Sequence, residues 1–90
     1  MPRNNFGYLE KLVLQYYKEV GLKARATPCM IRVWIREKHG VDVDSRRIYD
    51  ALSRLVKRGL VAREKYRRRN YLYYLSPRGV EVASLVEKPV

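Results

Sequence analysis

The chain has 90 residues, enough for one modest hydrophobic core but too few for a second catalytic module. Its 20 Lys and Arg residues outnumber 9 acidic residues, and the formal net charge of +11 favours a polyanionic partner, nucleic acid first. One cysteine excludes an internal disulfide, and the single histidine leaves no metal-ligand set. We expect a soluble cytoplasmic protein without a membrane partner, because there is neither a signal segment nor an apolar run of about 20 residues.

The first predicted helix spans residues 8–20 and ends at Gly21. Its apolar residues recur at three- and four-residue steps, which predicts one core-facing side. They are Leu9, Leu12, Val13, Tyr16, Tyr17 and Val20. Leu14 falls on the opposite, charged side, where it is either an isolated exposed leucine or a dimer contact.

The second predicted helix begins after the capping residue Thr27, runs to about residue 38 and stops at Gly40. Ile31, Trp34 and Ile35, with help from Met30, are expected to form its buried stripe. Cys29 is interpreted as a small buried residue, and His39 as a helix-end residue.

The third predicted helix follows the capping residue Asp44 and ends at Gly59. Its inner face is expected to contain Ile48, Ala51, Leu52, Leu55 and Val56. A step of about 100° per residue turns its basic residues towards solvent. The sequence therefore predicts an amphipathic helix with a basic outer face.

A strand-like pattern follows over residues 60–66 and 71–75, with the turn at residues 67–70 between them. Ser76 then caps a last helix that starts at Pro77, weakens by Glu87 and stops at Pro89. This helix is apolar over more than half of its circumference, more than one small core needs. We therefore expect it to pair with the first helix of a second copy, in a homodimer.

Three helices, a hairpin and a last helix predict an α+β, mostly helical fold in a single domain over residues 1–90. Leu52, Leu55, Gly59, Leu60 and Val61 form the pattern Leu-x-x-Leu-x-x-x-Gly-Leu-Val, and Leu75, Ser76, Pro77 and Gly79 form Leu-Ser-Pro-x-Gly. In these motifs the segment 43–79 resembles winged helix-turn-helix transcriptional regulators of the MarR and PadR kind. The resemblance implies a DNA-binding regulator, although the long dimerisation helices usual in those regulators do not follow. The low Gln, Asn and Cys content is typical of thermophile proteins, so an archaeal or thermophilic source is expected.

The basic charge is concentrated in the third helix and the hairpin. Residues 45–69 contain ten basic and two acidic residues. Such a polarised field would orient the protein on a duplex. The candidate DNA-binding residues are Ser45, Arg46, Arg47, Tyr49, Asp50, Ser53, Arg54, Lys57, Arg67, Arg68, Arg69 and Asn70.

Different roles are expected within this set. Arg46 and Arg47 lie in the first helical turn, where an arginine can bond a guanine bidentately. Asp50 either accepts from a cytosine amine or, as the favoured interpretation, forms a helix-surface pair with Arg46 or Arg54. Ser53, Arg54 and Lys57 are expected to meet phosphates.

The hairpin tip, residues 67–69, either enters a minor groove, lies along phosphates or is simply a solvated charged turn. Tyr71, Tyr73 and Tyr74 could stack on single-stranded bases, but they are expected to pack in the core. Among the tyrosines of the hairpin, Tyr66 and Tyr71 lie near its tip and are expected to be the most available for contact.

The sequence is compatible with four functions. The leading hypothesis is a sequence-selective DNA-binding regulator associated with the nucleoid. The alternatives are a sequence-independent chromosomal DNA-binding protein, an RNA-binding ribonucleoprotein component and a protein-interaction module in a larger complex. The sequence has no nucleophile with its base, no paired carboxylates and no phosphate loop, so we expect neither an enzyme nor a cofactor nor a small-molecule substrate.

Overall fold

The computed structural model describes residues 6–68 and 70–86. The described helices are α1 (Tyr8–Val20), α2 (Pro28–His39), α3 (Ser45–Lys57) and α4 (Pro77–Leu85), and the strands are β1 (Val61–Arg67) and β2 (Asn70–Leu75). The two strands pair antiparallel. The predicted order of elements is confirmed, whereas the predicted end of the last helix at residues 87–89 lies outside the described residues.

Side-chain caps fix the starts of three of the described helices. The side chains of Thr27, Asp44 and Ser76 each accept a hydrogen bond from a backbone amide two or three residues further on, at 2.8 to 3.3 Å. Each cap satisfies a donor that the first helical turn cannot pair internally. At the end of α2, Gly40 adopts a left-handed conformation, with φ of 67°. These cap predictions are confirmed.

α1 is the central helix, because it contacts α2, α3 and α4. Its second side is therefore buried as well: Leu14 is 0% exposed, and the side chains of Glu10 and Gln15 are buried with it. The expectation that Leu14 lies on an exposed polar side is wrong, since the periodicity of one helix does not report how many neighbours cover it.

Three further burial predictions are wrong. Val20 and Met30, which were expected in apolar stripes, are 51% and 48% exposed. Cys29, expected as a buried residue, is exposed. Cys29 is the second residue of α2, and the buried residues of this helix begin only at Ile31. The buried stripe of α2 is thus carried by Ile31 and Ile35, with Trp34 partly buried.

The two sequence motifs meet in space at the start of α4. The Ser76 hydroxyl donates to the Gly59 carbonyl at 2.6 Å, and the Ser76 amide donates to the Leu60 carbonyl at 3.0 Å. Gly79 lies so close that an added Cβ would be 1.8 Å from the Leu60 carbonyl oxygen. The glycine is therefore required for the close approach of backbone to backbone.

The hairpin is anchored to the helical core by a third extended segment. Ala26, between α1 and α2, exchanges two backbone hydrogen bonds with Tyr73 of β2, at 2.9 and 2.8 Å. The buried Tyr17 hydroxyl of α1 also donates to the Tyr73 carbonyl, at 2.6 Å. Three helices with an attached hairpin and a further helix are the winged helix-turn-helix predicted from the sequence: α2 and α3 form the helix-turn-helix, and β1 with β2 forms the wing.

Candidate nucleic-acid interface

The outer face of α3 is basic and exposed. Its inner face is fully buried through Ile48, Ala51, Leu52 and Leu55. This burial fixes the rotation of the helix, because a slip by one residue would bring charge into the core. The predicted site residues on the opposite side are exposed at Arg46, Arg47, Tyr49, Asp50, Arg54 and Lys57 and partly buried at Ser45 and Ser53.

The first turn of α3 presents two exposed arginines, Arg46 and Arg47. Asp44 caps the Arg46 backbone amide at 2.8 Å, which fixes the start of this turn. Within the described part of the chain, neither guanidinium forms an ion pair. Both are therefore available to an external acceptor.

Arg54 has a different partner from the one expected. Its Nε lies 3.4 Å from Oε2 of Glu10 on α1, and the Glu10 side chain is only 7% exposed. Glu10 also accepts from the Gly7 backbone amide at 2.7 Å, so the carboxylate is held on both sides. The expected surface pair between Asp50 and an arginine of α3 is not formed among the described ion pairs, and that interpretation is wrong. Asp50 is exposed on the same face.

The tip of the wing is exposed at Arg67, Arg68 and Asn70, and the two arginines give it positive charge, while Arg69 lies outside the described residues. Between Lys65 and Arg67 the strand register shifts by one residue. Such a bulge bends a hairpin and changes the direction of its side chains. The Arg67 guanidinium lies 5.2 Å from the ring centre of Tyr66.

The tyrosines of the wing divide between the core and the surface. Tyr73 is buried, Tyr74 is partly buried and Tyr66 is 52% exposed. Tyr71, for which core packing was favoured with some availability for contact, is partly buried, and its ring is covered by the Arg63 guanidinium at 4.6 Å. Core packing therefore takes most of these aromatic side chains.

Arg63 is the functional candidate that the sequence reasoning missed. It pairs across the hairpin with Tyr73, whose ring packs edge-on against Tyr49 of α3 at 6.5 Å. Burial raises the pKa of Tyr73, and the nearby Arg63 guanidinium partly offsets this. The Tyr73 hydroxyl itself is buried without a hydrogen-bond partner in the described part of the chain. The two-residue period of β1, which places Arg63 on the face of Tyr71 and Tyr73, could have identified it.

The opposite face of the wing has a different character. Arg25 pairs there with Glu64 and lies 5.2 Å from the ring centre of Tyr74. An apolar groove of about 490 Å³ adjoins them. It is lined by Leu22, Lys23, Arg25, Tyr74, Leu75, Pro77 and Val80. This groove is separate from the basic face of α3.

Two other kinds of site find no support in the described ranges. There, His, Cys, Asp and Glu side chains do not gather in groups of three or more that could hold a metal ion. The helices found there are too short or too polar to cross a bilayer.

Comparison with solved structures identifies similar folds. RosR of H. salinarum, in a complex structure, is 25% identical and has a TM-score of 0.76, covering 89% of this chain and 67% of RosR. A PadR family transcription regulator from Clostridium difficile R20291 is 17% identical with a TM-score of 0.72, covering 88% of this chain and 82% of that one. Lactococcus lactis ZitR is 16% identical with a TM-score of 0.70, covering 92% of this chain and 51% of ZitR.

No family model and no curated protein sequence matches the chain. The structural likeness therefore establishes the architecture. The chain has the winged helix-turn-helix fold that RosR, ZitR and the PadR family transcription regulator share.

Proposed function

We propose that the chain is a DNA-binding transcription regulator that places α3 in the major groove and the wing on the backbone or in the minor groove. The observation that carries the proposal is the basic surface formed by the outer face of α3 and the tip of the wing. Its charge lacks internal neutralisation at Arg46 and Arg47, whose guanidinium groups have no ion pair in the described part of the chain. An unneutralised field of this kind binds a polyanion by counterion release.

The assignment of roles follows from position on the helix. Arg46 and Arg47 would reach base edges, since the first turn of a recognition helix enters the groove deepest. Arg54 and Lys57, further along with Ser53, would meet phosphates. Tyr49, Ser45 and Asp50 complete the proposed surface on α3, and Arg67, Arg68, Arg69 and Asn70 complete it on the wing.

The similar folds support this function over catalysis. The PadR family protein from Clostridium difficile is a transcription regulator, and this chain shares its arrangement of helices and wing. On this proposal the protein is not an enzyme, and it acts in the cytoplasm in association with the nucleoid.

The proposal is tested by titrating fluorescent duplexes with the chain and three variants, each at several salt concentrations. Replacing Arg46 or Arg47 with alanine should change which sequences are preferred, by about 1–3 kcal/mol per lost bidentate base contact. Replacing Arg67, Arg68 and Arg69 together should weaken binding to all duplexes alike and lower the salt dependence, by about 0.9 in the log–log slope per lost phosphate contact.

Three outcomes would contradict parts of this proposal. Equal affinity for every duplex sequence would favour a general chromosomal protein. Tighter binding to duplex RNA than to duplex DNA would favour a ribonucleoprotein component. Unchanged binding in all variants would remove the proposed surface from nucleic-acid binding altogether.

We also propose a homodimer formed through the first and last helices. Leu85 of α4 is 81% exposed and Val20 of α1 is 51% exposed. The Lys18 ammonium donates to the Val86 carbonyl at 2.9 Å, so the C-terminal ends of both helices are neighbours. A two-fold pair through this end would present two recognition helices to successive turns of DNA. Sedimentation at about 50 µM should show a dimer that Leu85→Ser weakens, and a monomer alone would contradict the proposal.

A further inference from the structure

Arg63 lies at the junction between the wing and α3. Its guanidinium carbon is 4.6 Å from the ring centre of Tyr71 on the neighbouring strand. Arg63 pairs in register with Tyr73, whose ring packs edge-on against Tyr49, and the hydroxyl groups of Tyr73 and then Tyr49 raise the pKa of Arg63. Tyr49 is 43% exposed on the outer part of α3, so this cluster connects the two elements of the proposed DNA surface.

The charge of Arg63 is not neutralised by an ion pair within residues 6–68 and 70–86. Its chain neighbour Glu64 points to the other face of β1 and pairs with Arg25. Within the described residues, the groups that face Arg63 are aromatic rings and hydroxyls rather than carboxylates. A cation stacked on a ring keeps the N–H groups at its edge free, because the ring contacts only the flat face of the guanidinium.

We infer that Arg63 binds a backbone phosphate of the duplex between α3 and the wing, held in position by Tyr71, Tyr73 and Tyr49. This inference rests on the proposed function, and it adds a contact that the sequence did not indicate. The in-plane fork of N–H groups matches two phosphate oxygens. A contact at the base of the wing, rather than at its tip, would fix the register of the protein without reading bases.

The aromatic cluster explains why this arginine would be effective. A free arginine side chain loses rotamer freedom when it binds a ligand, which costs about 0.5–1.5 kcal/mol. Arg63 is already held against Tyr71 at 4.6 Å, so much of that loss has occurred during folding. Arg67 is also near a ring, at 5.2 Å from that of Tyr66, but the Tyr66 side chain is itself 52% exposed.

The test compares Arg63→Ala with the matched control Arg25→Ala. Both arginines contact a tyrosine ring of the same hairpin, but they lie on opposite faces. Binding of the whole chain to a duplex of about 20 base pairs is measured by fluorescence anisotropy at five salt concentrations. Arg63→Ala should reduce affinity by about tenfold or more and lower the log–log slope by about 0.9, whereas Arg25→Ala should leave the slope unchanged.

Two more variants separate charge from position. Arg63→Lys keeps the charge but lacks the planar fork, so it should retain the salt slope while binding more weakly than the unsubstituted chain. Tyr49→Phe keeps the ring but removes the hydroxyl, so it should bind more weakly with an unchanged slope. Both keep the inference testable if Arg63→Ala lowers the melting temperature.

The outcomes distinguish this inference from the proposed function. If the unsubstituted chain binds DNA and Arg63→Ala has the same affinity and slope as Arg25→Ala, the phosphate contact is refuted while the proposed function stands. The same holds if Arg63→Lys loses as much slope as Arg63→Ala. If the unsubstituted chain binds no duplex, the proposed function fails and the inference fails with it.

Discussion

Replacing Gly79 with alanine should destabilise the protein strongly, although alanine is the better helix former. The new Cβ would lie 1.8 Å from the Leu60 carbonyl oxygen and 2.9 Å from its carbonyl carbon, and both are backbone atoms that cannot rotate away. The start of α4 must then move, which strains or breaks the two hydrogen bonds from Ser76 to Gly59 and Leu60.

The expected magnitude follows from three terms. Overpacking costs about 1–3 kcal/mol and disruption of the junction about 1–2 kcal/mol, while the higher helix propensity of alanine returns about 1 kcal/mol. The net loss is about 1–4 kcal/mol, which lowers the melting temperature by roughly 4–30 °C in a domain of this size.

The assay is urea unfolding followed by circular dichroism, with Arg78→Ala as the control at the neighbouring exposed position. The control should stay within about 0.5 kcal/mol of the unsubstituted chain. A Gly79→Ala variant as stable as the control would show that α4 does not approach the Leu60 backbone so closely, and the structural explanation of the two motifs would be wrong.

Two further predictions concern α1. Leu14→Ala should lower the free energy of unfolding by about 2–5 kcal/mol because the Leu14 side chain is fully buried, whereas Val20→Ala should lower it by less than about 0.5 kcal/mol. Equal losses of the two variants in urea unfolding would contradict the burial of Leu14. Burial raises the pKa of Tyr17, so the folded chain keeps a proton that the unfolded chain loses above about pH 10, and stability should fall as pH rises beyond that point. Tyr17→Phe removes the hydrogen bond to Tyr73 and should lower the free energy of unfolding at neutral pH by about 1 kcal/mol. Its free energy of unfolding should then decline less between about pH 9 and 11 than that of the unsubstituted chain. An equal decline in the two proteins would refute the assignment to Tyr17.

The helices and strands of this fold are defined by interactions between residues close in the chain, and the sequence therefore predicts them well. Thr27, Asp44 and Ser76 act on amides two or three residues away, so their capping roles can be inferred without tertiary structure. The apolar face of α3 is equally local, because burial of Ile48 and Leu55 follows the helical period. The basic outer face follows from the same period.

The errors arose where distant elements meet. Glu10 belongs to the side of α1 that was expected to be charged and exposed, but it is buried, accepts from the backbone at the start of α1 and pairs with Arg54, 44 residues away. Leu14 is buried because α1 has neighbours on several sides. The period of β1 places Arg63 on one face of the hairpin, but the packing of Tyr73 against Tyr49 joins that face to α3, and the period of a strand does not report a contact with a distant helix.

The most direct test of the account is a titration of the whole chain against a library of short duplexes of varied sequence, repeated across salt concentrations. We predict that the affinity for duplex DNA falls with rising salt at a log–log slope of several units, about 0.9 for each phosphate contact. Preferred sequences should be bound about a thousandfold or more tighter than the other duplexes. The absence of measurable binding to any duplex at about 50 mM salt would contradict it.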